Sequence, residues 1–146
     1  MKIKLIMLLI ILSSCSNSIK FENNKDYRVK IPIVKKEIEG KDYMFIVDSG
    51  ASMSIIDSTF YNNNSQLFEF KEEVDLIFTG ISIKRELTSS LILTKIDNKI
   101  TLFAVSDISS MRNSFNEYNY NIIGILGSDY LNKNKLIIDY NNKTLR

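Results

Sequence analysis

From residue 29 to the end of the chain, apolar residues either alternate with polar ones or form short unbroken runs that are rich in β-branched side chains. Alternation with a period of two is typical of β-strands, and Pro32 near the start of the pattern favours an edge strand. Polar segments at 39–42 and 97–99 have the composition of hairpin turns. Strands joined by such tight turns predict an all-β fold in the form of a small closed barrel.

Two stretches depart from this pattern. Residues 112–121 are polar and predict a variable loop. Residues 121–131 read NIIGILGSDYL, which predicts a strand, a break at glycine and one short helix capped by Ser128 or Asp129. Residues 136–140 predict a strong strand, and residues 144–145 a short final one. The expected fold is therefore all-β with one short helix near the C-terminus.

The composition narrows the classes of function. The 146 residues suit a single domain, and 45% hydrophobic with 25% charged residues is an ordinary globular balance. A net charge of +2, with Lys and Arg spread among acidic residues, predicts no nucleic-acid partner. The sequence has no histidine, which excludes Ser-His-Asp and Cys-His mechanisms and any zinc site that uses histidine. An enzyme of this composition would use carboxylates, hydroxyls, lysines, tyrosines or backbone groups.

Metal-dependent hydrolysis is a more distant alternative. Carboxylates without histidine favour magnesium or calcium, and Asp48, Asp57, Asp75 and Asp129 are the acids that would have to converge. No loop has the residue spacing of a calcium site. The sequence therefore predicts neither a metal nor a cofactor.

The N-terminus has the pattern of a secretory signal. Lys2 and Lys4 precede an apolar run, Leu5–Leu12, which is too short to span a bilayer because a spanning helix takes roughly 20 residues. A positive segment followed by a short apolar run is typical of a signal peptide.

The residues that follow, Leu12-Ser13-Ser14-Cys15, resemble a bacterial lipobox. The resemblance implies cleavage before Cys15 and lipidation of that cysteine, and so a protein anchored in the bacterial cell envelope, outside the cytoplasm. Cys15 is the only cysteine and has no disulfide partner. The alternative is a plain secretory signal with an incidental cysteine. The expected division is a signal peptide at 1–14, a lipidated cysteine and polar tether at 15–28, and a folded domain at 29–146.

The segment YMFIVDSGASMSIID, residues 43–57, holds the candidate catalytic group. An apolar strand ends at Asp48, turns at Ser49-Gly50, and then becomes apolar again. Two carboxylates held close together cannot both ionise cheaply, so they share one proton and titrate as a pair. Such a pair can activate water for general acid–base hydrolysis. Asp48 is the only acid in this sequence context, so the second carboxylate would be Asp48 of another copy related by a two-fold axis.

Residues 45–52 (FIVDSGAS) together with residues 123–129 (IGILGSD) resemble the retropepsin-like aspartic proteases. The resemblance runs from about Val29 to the C-terminus. It also covers the order of the segments: a hairpin, an Asp-Ser-Gly loop, a mid-chain flap hairpin, Ile-Leu-Gly, a short helix and a closing strand. It implies the barrel of that family, a homodimer, and a peptide or an unfolded protein as the substrate.

The resemblance also implies a role for each residue of the loop. Asp48 supplies the catalytic carboxylate, and Ser49 holds its own loop against the loop of the partner copy. Gly50 lets the backbone turn, which brings an N–H close to the carboxylate. Ala51 and Ser52 lie beside the substrate.

The segment before the helix supports the loop from beneath in this family. Ile125, Leu126 and Gly127 match that apolar segment, and Asp129 matches a frequent Asn or Asp. Ser128 stands where viral members often carry Arg, so an ion pair that braces the dimer in those proteins is expected to be missing.

The family also has a flap that covers the cleft and excludes water. The flap follows the catalytic Asp by a few tens of residues. Phe78, Thr79, Gly80 and Ile81 are the best match, with Gly80 at the tip.

Two functions fit this sequence. The first is a lipid-anchored aspartic endopeptidase that acts as a homodimer. The alternative is an envelope lipoprotein without catalytic activity, which keeps the protease-like fold as a binding module and remains a monomer.

Overall fold

The computed structural model describes residues 18–23, 25–26, 28–79 and 84–146, with side chains described up to 75 and again from 88. The strands in these ranges are β1 (Ile19–Lys20), β2 (Ile33–Ile38), β3 (Lys41–Val47), β4 (Ile55–Asp57), β5 (Glu69–Thr79), β6 (Lys84–Ile96), β7 (Lys99–Ser106), β8 (Ile122–Leu126), β9 (Ile138–Asp139) and β10 (Thr144–Leu145). The helices are α1 (Ser58–Asn63), α2 (Ser109–Asn116) and α3 (Ser128–Lys133), and a 3₁₀ turn covers Ser65–Leu67.

The strands form two sheets. The larger sheet has the order β2-β3-β8-β4-β7-β6-β5, and the smaller one has the order β1-β10-β9. In the larger sheet, β3 is parallel to β8 and β4 is parallel to β7, while the other neighbours are antiparallel. The elements follow one another in the order that the sequence predicted: a hairpin, the Asp48 loop, a long hairpin, β8, α3 and the final strands. The expected all-β class and the expected order of elements are confirmed.

The prediction of a closed barrel is wrong in detail, because the larger sheet is open. In the described part of the chain, β2 and β5 are its two edges and do not pair with each other. The N-terminal segment covers part of the outer edge of β2, where the Glu22 N–H donates to the Ile33 carbonyl oxygen at 2.7 Å.

Both predicted turns are hairpins. Glu39 and Gly40 join β2 to β3 with φ values of 49° and 75°, and Asp97 and Asn98 join β6 to β7 with φ values of 47° and 63°. A two-residue hairpin with positive φ at both positions matches the twist of the strands that it joins. Gly and Asn tolerate this conformation better than most residues, which is why the turns are visible in the sequence.

The larger sheet carries a hydrophobic core on each face. In β3, Phe45 and Val47 belong to one cluster, while Ile46 belongs to the other. In β8, Leu126 joins the first cluster and Ile125 the second. All five residues of β8 are buried, because apolar groups pack against both of its faces.

The prediction of a single helix is incomplete, since α3 is present but α1 and α2 were not expected. Helix α2 occupies part of the stretch that predicted a variable loop, residues 112–121. Its buried Phe115 packs on the second cluster together with Ile108, so tertiary packing outweighs the polar composition. Arg112 on the same helix donates to the fully buried Asp57 at 2.7 Å, and Asp57 also caps α1 by accepting from Phe60 N at 3.1 Å.

The N-terminal boundary also differs from the prediction. The strand expected from Val29 begins only at Ile33, because Asn23 bonds to the backbone there instead. Its side-chain nitrogen donates to the carbonyl oxygens of Val29 and Ile31 at 2.8 and 2.9 Å, and its oxygen accepts from Ile33 N at 3.1 Å. Phe21 is only 5% exposed. Part of the segment predicted as a tether, 15–28, therefore packs on the domain.

The final strand is shorter than expected. Residues 136–140 predicted one strong strand, but the strand covers only Ile138–Asp139. Asp139 accepts from Asn142 N at 2.9 Å and from the Asn142 side-chain nitrogen at 2.8 Å, which turns the chain directly into β10.

Candidate active site

The loop that carries Asp48 crosses the end of β8. Strand β3 ends at Val47 and β4 begins at Ile55, and these two strands lie on opposite sides of β8. The connecting residues 48–54 must therefore pass over the C-terminal end of β8. Val47 is in register with Leu126, and Asp48 N donates to the Leu126 carbonyl oxygen at 3.0 Å. The backbone at Asp48 is thus held by a buried strand.

The turn itself fixes the carboxylate. Gly50 N donates to Asp48 Oδ1 at 2.8 Å, and Ala51 N donates to the Asp48 carbonyl oxygen at 3.2 Å. A Cβ on Gly50 would lie 3.1 Å from Asp48 Oδ1, which is closer than most Cβ contacts. Asp48, Ser49 and Gly50 are exposed in the single chain. The protein therefore presents an oriented carboxylate at its surface.

Gly127 lies directly beneath the loop. A Cβ there would come within 2.8 Å of the Ala51 carbonyl oxygen and of the Met53 carbonyl group, so only glycine fits without moving the backbone. Ser128 N donates to the Ala51 carbonyl oxygen at 2.8 Å, which ties the start of α3 to the loop. Ala51 is half-buried and Ser52 is exposed.

Ser54 connects the loop to α3, and sequence reasoning missed it. Its hydroxyl is buried, donates to Asp129 Oδ1 at 2.7 Å and accepts from Gly127 N at 3.0 Å. The only sequence signal is a hydroxyl residue just before the apolar pair Ile55-Ile56. The Ser54 hydroxyl therefore ties the end of the Asp48 loop to the start of α3.

We expect Ser54→Ala to lower the free energy of unfolding by about 1–3 kcal/mol, because it leaves the buried Gly127 N–H without a partner. Asp129→Asn keeps an acceptor oxygen for the Ser54 hydroxyl and should cost less. Ser52→Ala is the matched control, since it makes the same change at an exposed position in the same loop. Urea unfolding of the three variants checks this order. Equal stability of Ser54→Ala and Ser52→Ala would contradict the bracing role.

An open pocket of about 230 Å³ lies beside Asp48. Its lining includes Ile46 of β3, Ile125 of β8, Met111 of α2, and also Ile31 and Tyr140. Ile31 and Tyr140 are 45% and 61% exposed. The carboxylate therefore borders an apolar hollow that is partly built by α2.

The predicted flap falls on the long β5–β6 hairpin. The backbone of Phe78 and Thr79 lies in β5, and Thr79 is paired with Lys84 of β6. Gly80 and Ile81 lie outside the described residues, as does Cys15.

The described part of the chain has neither a metal-binding cluster nor a membrane-spanning helix. No group of three or more Cys, Asp or Glu residues in that part of the chain could hold a metal ion. In the same ranges, no helix has the length and apolar character needed to cross a membrane.

No protein-family model and no curated protein matches the sequence. Among solved structures, the chain is similar to the EIAV protease complexed with the inhibitor HBY-793, at 19% sequence identity and a TM-score of 0.48, over 72% of this chain and 88% of that one. It is also similar to the retroviral protease-like domain of Ddi1 from Leishmania major, at 16% identity and a TM-score of 0.47, over 80% of this chain and 89% of that one. At these identities, both likenesses concern the course of the backbone alone.

Proposed function

We propose that this protein is an aspartic peptidase that hydrolyses peptide bonds as a homodimer, with one Asp48 from each copy. The observation that carries the proposal is the placement of Asp48. It follows a buried strand, its carboxylate is oriented by Gly50 N at 2.8 Å, and it remains exposed in the single chain. A carboxylate whose partner comes from a second copy has to be accessible in one chain alone.

The chemistry follows from bringing the two carboxylates together. Because adjacent like charges are unfavourable, the pair holds one proton, and one member is charged while the other is neutral. The charged Asp48 removes a proton from a water molecule, whose oxygen attacks the peptide carbonyl carbon. The neutral Asp48 of the other copy donates its proton to the carbonyl oxygen. When the tetrahedral intermediate collapses, the C–N bond breaks and the first Asp48 gives the leaving nitrogen the proton that it took from water. A hydroxyl group of the intermediate returns its proton to the second Asp48 as the C=O bond re-forms, so the pair again holds one proton.

Peptide-library cleavage across pH tests this function, with and without a pepstatin-type transition-state mimic. We expect hydrolysis that is strongest at acid pH, because the pair loses its shared proton as pH rises. The inhibitor should abolish the activity. Cleavage that resists the inhibitor would contradict the proposal.

One observation favours the second candidate, a monomeric binding module. Strand β10 is paired on both sides within the chain, with β1 and with β9, so a partner copy could add a strand only at the outer edges of this sheet. Sedimentation of the protein in solution and on vesicles separates the two candidates. A monomer under both conditions, without turnover at any pH, would favour the binding module. The membrane-bound sample is needed because tethering to a membrane raises the effective concentration of copies.

The pocket beside Asp48 is proposed to take an apolar side chain of the substrate. We expect Met111→Ala to raise KM for peptides with a large apolar residue at the cleaved bond by about tenfold, because each lost methylene contact in such a pocket costs affinity. Peptides with alanine there should be affected little. Ile100→Ala is the control, since Ile100 is 57% exposed and does not line this pocket. An equal rise in KM for peptides with large and with small side chains would argue against a substrate-binding role of this pocket.

We also propose that Cys15 is lipidated and that the protein resides in the bacterial cell envelope, outside the cytoplasm. The signal-like segment before Cys15 and the lack of any second cysteine support this location. Palmitate labelling of the wild type but not of Cys15→Ala is the expected result.

A further inference from the structure

The smaller sheet fixes the position of Ile19, four residues after Cys15 in the sequence. Ile19 of β1 pairs with Leu145 of β10, and the strands are antiparallel. Continuing that register places Ser18 opposite Arg146. Arg146 and Ile137 exchange two backbone hydrogen bonds, of 3.1 and 2.6 Å. Ser18, Arg146 and Ile137 therefore lie side by side at one end of this sheet, which we call the anchor-side surface.

The anchor-side surface is apolar and basic. Ile137 is 64% exposed, the highest value among the exposed large hydrophobic residues of the described chain. Lys135 is exposed two residues before Ile137, Lys20 is exposed on β1, and Arg146 is exposed directly after β10. Asp139, the acid in these segments, pairs with Arg146 at 3.2 Å, which leaves Lys20 and Lys135 as the cations that can face a ligand. An exposed aliphatic side chain in segments that carry such cations suits an interface of anionic lipid headgroups.

The distance from Cys15 to this surface is short. Only Ser16, Asn17 and Ser18 separate Cys15 from Ile19. Because a fully extended chain advances at most about 3.6 Å per residue, Ile19 lies within about 14 Å of the Cys15 backbone. A lipid on Cys15 would thus hold the anchor-side surface against the bilayer.

We propose that the anchor-side surface docks on a bilayer containing anionic phospholipid, with Ile137 inserted among the headgroups and Lys20 and Lys135 facing lipid phosphates. This inference rests on the proposed lipidation of Cys15. It has a consequence for the candidate active site, because Tyr140 directly follows β9 and lines the pocket beside Asp48. Docking keeps that pocket near the membrane, and so favours substrates that are unfolded segments at the membrane surface.

The test uses the full chain, lipidated on Cys15 and reconstituted into vesicles of phosphatidylcholine and phosphatidylglycerol. With Cys15 acylated, Ile137→Cys introduces the only free thiol, which is labelled with an environment-sensitive fluorophore. Glu73→Cys is the matched control, since Glu73 is exposed on β5, at an edge of the other sheet. We expect a blue-shifted emission and quenching by lipids with spin-labelled headgroups at position 137, and neither at position 73. Replacing phosphatidylglycerol by phosphatidylcholine should weaken the quenching several-fold.

Two results would overturn the docking proposal: vesicle-bound protein in which both labels behave alike, or a label at 137 that becomes shielded without vesicles as protein concentration rises. The second result would assign this surface to contact between copies. Failure of lipidation is distinguishable, because the protein would then not float with the vesicles and would take up no palmitate label.

Discussion

Asp48→Asn should abolish peptide hydrolysis, with a loss of on the order of 10²- to 10⁴-fold, the range that general acid–base catalysis supplies. An amide can neither take the proton from water nor hold the proton that the pair shares. The fold should be unaffected, because Asp48 is exposed and an Asn oxygen can still accept the bond from Gly50 N. Initial rates of peptide cleavage, together with thermal unfolding curves, measure both effects.

The matched control for this variant is Asp42→Asn. Asp42 is exposed on the same strand, β3, and makes the same change in charge away from the turn. We expect this control to retain wild-type activity. Unchanged cleavage by Asp48→Asn, or an equal loss in both variants, would remove the hydrolase proposal and leave the binding module.

Gly124→Ala should have the largest effect on stability, a loss of more than about 3 kcal/mol, which can prevent folding altogether. A Cβ at this position would lie 2.4 Å from the Ile55 carbonyl oxygen, 3.1 Å from the Phe45 ring and 3.2 Å from the Ile56 side chain. The Ile55 backbone cannot yield easily, because β4 is paired on both sides, with β7 and with β8. The added methyl group would therefore overpack the centre of the sheet that holds the Asp48 loop.

The matched control is Gly40→Ala, in the turn between β2 and β3. Gly40 has a φ of 75°, but nothing lies within 4 Å of the position that a Cβ would take. This variant should lower the free energy of unfolding only by the cost of placing a non-glycine residue in the left-handed conformation, about 1–2 kcal/mol. Urea unfolding, or the soluble yield if Gly124→Ala does not fold, compares the two. Similar losses in both would mean that the space around Gly124 is not what constrains it.

The features that the sequence predicted well are those with a local physical cause. The turn at Glu39-Gly40 requires positive φ values, and the glycine between two strand-like segments indicates such a turn in the sequence itself. The alternation in β3 reflects the two apolar clusters on the two faces of the sheet. Asp48 is conspicuous because a charged residue directly follows a buried strand. The catalytic role of Asp48 itself stays a prediction.

The features that the sequence did not reveal depend on partners far along the chain. Helix α2 is polar except for Met111 and Phe115, which belong to the apolar cluster on one face of the sheet. Its ion pair joins Arg112 to Asp57 across 55 positions. Ser54 bonds to Asp129 across 75 positions. The periodicity of a short segment cannot predict contacts between residues so far apart in the sequence. A strand as short as β1, with two residues, is likewise invisible to a period of two.

Mixing of wild-type protein with Asp48→Asn tests most directly whether two copies of Asp48 form one site. The total protein concentration is kept constant and the fraction of wild type is varied, with time allowed for subunits to exchange. If each site needs both carboxylates, the activity should follow the square of the wild-type fraction, so that an equal mixture retains about a quarter. Activity that falls in direct proportion to the wild-type fraction, after exchange has been verified, would show that one chain acts alone and would contradict the paired-carboxylate account.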